Sequence, residues 1–308
     1  SILQALLYYD IFDHPLTSLE ILRFLPTNTV TSSDVQGALL EMVRERRIEE
    51  SGGFYFLLGK PYPLGRLRLQ KEGHAKRLWK IARVVTSVLR RFPFVRAVIV
   101  SGDLSKNVAD KKSDIDFFVI TEIRRLWICR AFLTLFKKVF LLNSKKFFCI
   151  NHYVSADHLE IEERNVYVAT EIAHLQPAFN GSLFFRFQQA NSWIKDFFPN
   201  FEWSGNGHVR NGANGSAIRT LLEMPFRGKW ADGLDRRLME FMRKVWKRRY
   251  PELTNKERDT IFRCRPYESR AHAGNFEEKV LAAYEHRLRK FGIPGTIDLS
   301  NGNRLNAT

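Results

Sequence analysis

The spacing of apolar residues changes several times along this chain. In residues 1–60 they recur at helical spacing in three segments and then alternate in two short segments around Gly52 and Gly53. Residues able to cap a helix, Thr17 or Ser18 and then Ser32, precede the second and third segments. This part of the chain therefore predicts three helices followed by a hairpin.

The third of these helices decides what the N-terminal region would bind. Three helices and a hairpin form a winged helix-turn-helix, and a helix-turn-helix commonly binds DNA. Residues 32–47, however, carry Asp34, Glu41 and Glu45 among their arginines. A helix that binds DNA is usually more clearly basic. DNA binding and packing against protein both remain open here, and the mixed charge favours packing.

A long basic segment separates this region from a stretch of alternating strands and helices. Residues 66–92 have helical spacing and contain nine Lys/Arg against one acid, Glu72. They form either a stripe that binds a polyanion or the solvated face of a linking helix. Strands are predicted at 94–102, 114–121 and 146–155, with a helix between the second and third. Strands that alternate with helices indicate a sheet flanked by helices.

The C-terminal part has mostly helical spacing. Residues 166–175 and 181–198 predict helices, residues 204–216 are a Gly- and Asn-rich linker, and helices continue to about 290. The predicted fold is α+β, with these parts in order: a winged-helix-like domain (1–60), a linking basic helix (61–92), a sheet domain (93–180), a helical C-terminal domain (181–293) and a flexible tail (294–308).

Composition narrows the range of partners. The 308 residues carry a formal net charge of +16, which favours nucleic acid, nucleotide phosphates or an acidic membrane surface. The three cysteines form no CxxC motif, which argues against a disulfide framework or a zinc site and favours the cytoplasm. No apolar run approaches the ~20 residues of a membrane span. We therefore expect a cytoplasmic protein with an anionic partner and no membrane span.

The strand–loop–strand unit VSGDLSKNVADKKSDIDFFVI holds the candidate chemistry. Its first strand ends at Gly102, and its second begins with Asp114 and Asp116. Residues i and i+2 of a strand face the same side, so the two carboxylates converge. A hard divalent cation such as Mg²⁺, or Mn²⁺, would offset their repulsion and bridge them to substrate phosphates. The unit therefore predicts a site for a metal and a nucleotide.

This unit resembles the signature of the DNA polymerase β-like nucleotidyltransferase superfamily. The resemblance covers residues 94–180 and implies a nucleotidyltransferase-type mixed sheet. It also implies transfer of a nucleoside monophosphate from a nucleoside triphosphate to an acceptor that the sequence does not identify. Asp114 and Asp116 would then hold the metal ions. Ser101, Gly102, Asp103, Ser105 and Lys106 would form the nucleotide-binding site.

Two positions depart from that signature. Asp103 stands where the family has a Ser or Gly that touches phosphate, and the strand at 146–155 contains no carboxylate. Asn151 is the candidate third metal ligand on that strand, with Asp157 and Glu171 as weaker substitutes. These departures leave a second hypothesis open, in which a degenerate nucleotidyltransferase fold acts as a regulatory module that binds DNA or protein through its winged helix.

The remaining aromatic and basic residues allow a nucleic-acid partner. Trp230, Trp246 and Tyr250 lie among basic residues and could stack on bases, although such a mixture is more often an amphipathic helix with its aromatics in the core. The histidines, His152, His158 and His174 among them, show no metal-binding spacing. Nucleic acid is therefore expected at the basic surface or the winged helix.

Overall fold

The computed structural model describes residues 1–60, 63–140, 146–203, 209, 217–271 and 276–294. Nearly all of the predicted tail and of the predicted linker lie outside these residues. The N-terminal part has the expected order of three helices and a hairpin. Its elements are α1 (Ile2–Asp10), α2 (Ser18–Arg23), α3 (Ser32–Arg44), β1 (Ile48–Ser51) and β2 (Phe54–Leu57).

Local chemistry explains these N-terminal elements. Ser1, Thr17 and Thr31 each accept a hydrogen bond from the backbone of the first helical turn, and a Gln, Glu or Asp in that turn bonds back. Gly52 and Gly53, with φ of 64° and 82°, form the turn of the hairpin. Two consecutive positive φ angles match the turn that joins twisted antiparallel strands, so glycine is the natural residue there.

The rest of the chain builds a five-stranded sheet and its covering helices. Two short 3₁₀ helices, Ser192–Asp196 and Met224–Phe226, accompany them. The remaining elements are α4 (Leu64–Leu89), β3 (Val95–Ser101), α5 (Gly102–Ser105), β4 (Asp116–Thr121), α6 (Leu126–Phe140), β5 (Cys149–Ser155), α7 (Val166–His174), β6 (Gln176–Phe179), α8 (Gly181–Ala190), α9 (Ala217–Glu223), α10 (Trp230–Arg249), α11 (Asn255–Ile261), β7 (Glu268–Arg270) and α12 (Phe276–Lys290).

The sheet is mixed, with the strand order β6-β3-β4-β5-β7. β4 and β5 run parallel, whereas every other neighbouring pair is antiparallel. The helix α6 supplies the crossover that a parallel pair requires. A mixed α/β fold with helices around a five-stranded sheet is thereby confirmed.

Alternate residues of the central strands fall into two apolar cores, one on each face of the sheet. Val98, Val100, Phe117 and Val119 pack with α4, α6 and α10. Ile99, Phe118 and Ile120 pack with α7, α8, α12 and the N-terminal helices. We call the first group of helices the α4–α6–α10 layer and the second group the α7–α12 layer.

The N-terminal region contacts the α7–α12 layer through polar as well as apolar groups. The hydroxyl of Tyr9 lies 2.7 Å from Nε2 of His174. The hydroxyl of Tyr284 donates to the Gln4 carbonyl, and Arg287 pairs with Asp10. These contacts fix the position of the N-terminal helices relative to the sheet.

The pattern of apolar residues missed two strands. β6 lies in the segment predicted to end a helix at Pro177, and it pairs with β3 at the edge of the sheet. β7 lies within the segment predicted to be helical, and it pairs with β5. The predicted helix 181–198 is instead α8 followed by a 3₁₀ helix. Among the described residues, no helix is long and apolar enough to span a membrane.

Candidate functional site

The C-terminal end of β3 and the N-terminal ends of β4 and β5 lie side by side at one end of the sheet. β3 ends at Ser101, which lies opposite Asp116, the first residue of β4. Asp116 in turn lies beside Cys149, the first residue of β5. The antiparallel and parallel pairings together bring Gly102, Asp116 and Asn151 to one place, although they are far apart in sequence.

Gly102 lies directly against the carboxylate of Asp116. Its φ of +65° is in the left-handed region, where residues with a side chain are strained. A Cβ on Gly102 would also lie 2.5 Å from Oδ2 of Asp116. The close approach of backbone to carboxylate therefore requires glycine at this position.

Asp116 is held by the neighbouring strand. Nδ2 of Asn151 donates a hydrogen bond of 2.7 Å to Oδ1 of Asp116, and Sγ of Cys149 lies 3.1 Å from Oδ1 of Asn151. Burial, followed by the charges of Asp114 and Asp103, raises the pKa of Asp116 despite these hydrogen bonds. A cation at this point would relieve the repulsion among the three carboxylates.

A β-bulge directs Asn151 toward this carboxylate. Phe117 and Phe118 are adjacent in β4, but their partners in β5 are Ile150 and His152, so Asn151 is the extra residue. Strict alternation would point Asn151 and His152 to opposite faces. Instead both of them line the same cavity. His152 is thus a site residue that the sequence pattern missed.

The cavity has a volume of about 410 Å³ and lies between the strand ends and the α7–α12 layer. This volume falls within the range of small-molecule sites. Most of the predicted site residues line it, whereas Asp114 and Ser105 do not. The lining residues among the predictions are Ser101, Gly102, Asp103, Lys106, Asp116 and Asn151.

Two residues predicted to lie at the phosphates form hydrogen bonds within the protein. The hydroxyl of the buried Ser105 donates to the Gly102 carbonyl at 2.8 Å, so it stabilises the turn. The carboxylate of Asp103 accepts a hydrogen bond from the Ser113 hydroxyl. Of the predicted hydroxyl groups, Ser101 is therefore the one that faces the cavity.

Lys106 and Glu171 face each other in the cavity. Nζ of Lys106 donates to Oε1 of Glu171 at 2.6 Å, which joins α7 to the segment that follows α5. Glu171 is thus a third carboxylate of the cavity, but a cation already pairs with it. Asp157, the other substitute, is exposed and accepts a hydrogen bond from Ser155 away from the cavity.

The cavity is acidic although the protein as a whole is basic. Five carboxylates line it, against the two cations Lys106 and Arg270. His152 hydrogen-bonds Glu268 at 3.0 Å, and burial lowers its pKa, so it is neutral at neutral pH. An anionic ligand would therefore enter this cavity favourably only together with a cation.

Carboxylates are the ligand type that a hard divalent cation prefers. Within the described part of the chain, no group of three or more His, Cys, Asp or Glu is arranged to hold a metal. Mg²⁺ commonly binds through one or two carboxylates and completes its shell with water and phosphate oxygens. Asp116 lines the cavity and supplies one such ligand, whereas Asp114 precedes β4 and is not among the residues that line the cavity. Asn151 turns its amide nitrogen, which is not a metal ligand, toward Asp116.

Several other predicted residues have structural roles. His158 stacks on Tyr267, and His174 bonds Tyr9. Trp246 is buried against Phe262, while Trp230 is exposed. Of the three histidines singled out in the sequence, His152 thus lines the cavity, whereas His158 and His174 do not.

Comparisons with protein-family models, with curated proteins and with solved structures find no significant match to this chain. The physical features of the site carry the functional argument that follows.

Proposed function

We propose that the protein is a metal-dependent nucleotidyltransferase whose site lies at the meeting point of β3, β4 and β5. One observation carries the proposal: the Gly102 backbone lies against the Asp116 carboxylate at the mouth of a cavity of about 410 Å³. Glycine at the end of a strand lets a triphosphate approach the backbone. The adjacent carboxylates would hold the cation that the triphosphate carries.

Each side chain has a distinct role in the proposed reaction. Asp114 and Asp116 hold the metal–nucleotide complex, and Asn151 fixes the orientation of Asp116 through its 2.7 Å hydrogen bond. Lys106 leaves Glu171 and binds the phosphates. A bound Mg²⁺ or Mn²⁺ would neutralise phosphate charge and lower the pKa of the attacking hydroxyl.

The transfer is an in-line displacement at the α-phosphorus. An acceptor hydroxyl attacks, the bond to the bridging oxygen breaks, and pyrophosphate leaves with that electron pair. The hydroxyl proton passes to a base, and Glu171, once free of Lys106, is a cavity carboxylate outside the metal pair that can accept it. Lys106 stabilises the charge that develops on the departing phosphates.

Nucleotide binding tests the proposal directly. The thermal midpoint is measured with Mg²⁺ or Mn²⁺ and each of the four nucleoside triphosphates, and labelled nucleotides report on transfer. We expect a stabilisation that requires metal and nucleotide together. The thermal shift should disappear in Asp116→Asn and persist in Asp196→Asn, which removes an exposed carboxylate that does not line the cavity. Failure of all four nucleotides to bind with either metal would refute the proposal.

The second candidate is a catalytically degenerate nucleotidyltransferase fold that acts as a binding module through its N-terminal winged helix. Asn151 favours it, because its amide nitrogen stands where a third carboxylate would bind a second metal ion. The helix α3 is exposed along one side and carries Asp34 and Glu41. DNA or protein binding that survives the double change Asp114→Ala and Asp116→Ala, without nucleotide transfer, would favour this candidate.

A further inference from the structure

Charge is divided unequally between the two faces of the sheet. The helices α4, α6 and α10 together contain 17 Lys/Arg and four Asp/Glu, a net charge of +13. The helices of the other core, α1, α2, α3, α7, α8 and α12, contain seven Lys/Arg and eight Asp/Glu, a net charge of −1. Most of the positive charge of the protein therefore lies on one side.

Twelve cations of the α4–α6–α10 layer are exposed, and none of them forms an ion pair with another described residue. They extend over all three helices of the layer. They are Arg66, Lys76, Arg77, Lys80, Arg83, Lys138, Arg236, Arg237, Lys244, Lys247, Arg248 and Arg249.

Several cations outside this layer are neutralised by ion pairs. Lys60 pairs with Asp10 and Asp13, Arg96 pairs with Glu223, and similar pairs hold Arg263 and Arg287. Like charges that are left together repel and destabilise the folded state. A surface that keeps twelve of them without counter-charges is suited to an external polyanion.

Three features favour nucleic acid as this polyanion. Seven of the twelve cations are arginines, which bind phosphate through two parallel hydrogen bonds. The helix α4 has 26 residues, about 39 Å, slightly more than one turn of duplex DNA. Trp230 and Phe241 are exposed on α10 and can stack on bases.

A membrane surface fits the layer less well. Binding to the interface requires a continuous apolar strip beside the cations. Within the layer, exposed large apolar residues lie one turn apart at the end of α6, at Leu135, Val139 and Phe140, and this strip is confined to that helix. On α4 the exposed large apolar residues, Leu69 and Val84, are fifteen positions apart, and on α10 Trp230 and Phe241 are eleven positions apart. Single apolar side chains at this spacing are ordinary for a water-exposed helix.

We propose that the α4–α6–α10 layer binds nucleic acid through its phosphodiester backbone, without sequence preference. The cavity lies on the other face of the sheet, so the bound strand is not the molecule that enters the cavity. The layer acts as a tether that keeps the protein on a nucleic acid while the cavity stays accessible. This proposal is independent of the reaction proposed for the cavity.

Fluorescence anisotropy with a labelled duplex and a labelled single strand of about 30 nucleotides tests the tether. The test variant is the triple change Lys244→Ala, Lys247→Ala and Arg248→Ala on α10. The matched control removes three exposed cations from α12 through Lys279→Ala, Arg289→Ala and Lys290→Ala. All three proteins must show the same thermal midpoint, because the replaced side chains are exposed.

The salt dependence distinguishes the outcomes. Each lost phosphate contact makes the negative slope of log K against log salt shallower by ~0.9 for a duplex. The slope of the α10 variant should therefore be shallower by up to about 2.7, and this variant should bind at least ~10-fold more weakly than the wild type. The α12 variant should match the wild type. Absence of binding, an equal loss in both variants, or binding to phosphatidylserine vesicles without binding to nucleic acid would each overturn the proposal.

Discussion

Replacing Gly102 by alanine tests the contact on which the proposed site depends. The added methyl group would meet Oδ2 of Asp116 at 2.5 Å, and Cβ and Cγ at 3.3 Å. The backbone cannot relax easily, because Ser101 is paired with Asp116 in the sheet. The carboxylate must therefore move, and its hydrogen bond with Asn151 breaks.

Two costs contribute to the expected loss of stability. A residue with a side chain in the left-handed region costs about 1–2 kcal/mol relative to glycine. Loss of the charge-assisted hydrogen bond between Asn151 and Asp116 adds about 1.5–3 kcal/mol. Gly102→Ala should thus lower the free energy of unfolding by roughly 2.5–5 kcal/mol and abolish the metal-dependent nucleotide shift.

Gly52→Ala is the matched control. Gly52 has nearly the same φ, +64°, but nothing lies within 4 Å of its added Cβ. It therefore measures the backbone cost alone. Urea unfolding followed by tryptophan fluorescence should show Gly102→Ala to be less stable than Gly52→Ala by about 1.5–3 kcal/mol.

A double-mutant cycle isolates the contact with the carboxylate. In an Asp116→Ala background, Gly102→Ala should cost about as much as Gly52→Ala, because the oxygen at 2.5 Å is gone. If Gly102→Ala and Gly52→Ala were equally destabilising in the native background, the close approach of Gly102 to Asp116 would have no energetic role. The geometric argument for the site would then fail.

Two further predictions concern charge. Burial raises the pKa of Asp235 to about 6, although the Ile128 amide donates to it. Protonation of Asp235 in the folded state contributes its full stabilisation below about pH 4, and this stabilisation is lost as the pH rises through about 6. In urea unfolding, Asp235→Asn should therefore be ~1–3 kcal/mol more stable than the wild type at pH 8 and no more stable than the wild type at pH 4. An equal gain in stability at the two pH values would contradict this prediction. At the cavity, Glu171→Gln should release Lys106 and tighten Mg²⁺–triphosphate binding a few-fold by calorimetry, whereas Lys106→Ala should weaken it ~10-fold. If the two substitutions changed the affinity equally, Lys106 would not be a phosphate-binding residue.

Local periodicity was sufficient for the central strands and the helices that cover them. β3, β4 and β5 each carry buried apolar residues that pack on both faces, and each lies within its predicted range. The helix α7 likewise ends one residue before its predicted end. Where a segment buries an apolar face, its spacing is a direct consequence of that burial.

The edge strands were not predictable in this way. β7 consists of Glu268, Ser269 and Arg270, all of them buried. Arg263 compensates the charge of Glu268, which also hydrogen-bonds His152, and Glu163 compensates the charge of Arg270. Neutralisation by residues distant in sequence leaves no local pattern. β6 contains Pro177, which argues against a central strand but is tolerated at the sheet edge.

The site was predicted in part. The strand pairing brings Gly102 close to Asp116, as their positions in the sequence predict, whereas Asp114 precedes β4 and does not line the cavity. The β-bulge at Asn151 does not follow, because a single extra residue reverses the alternation that sequence reasoning assumes. Likewise the pairing of Lys106 with Glu171 depends on the packing of α7 across the cavity.

The unequal division of charge gives the molecule a large electric dipole moment perpendicular to its sheet. Any extended negative surface, whether a cation-exchange resin or a silica bead, would therefore capture the protein in one preferred orientation. The cavity, on the other side, would remain open to solute in every captured molecule. Adsorption to such a support should thus concentrate the protein without blocking access of small ligands.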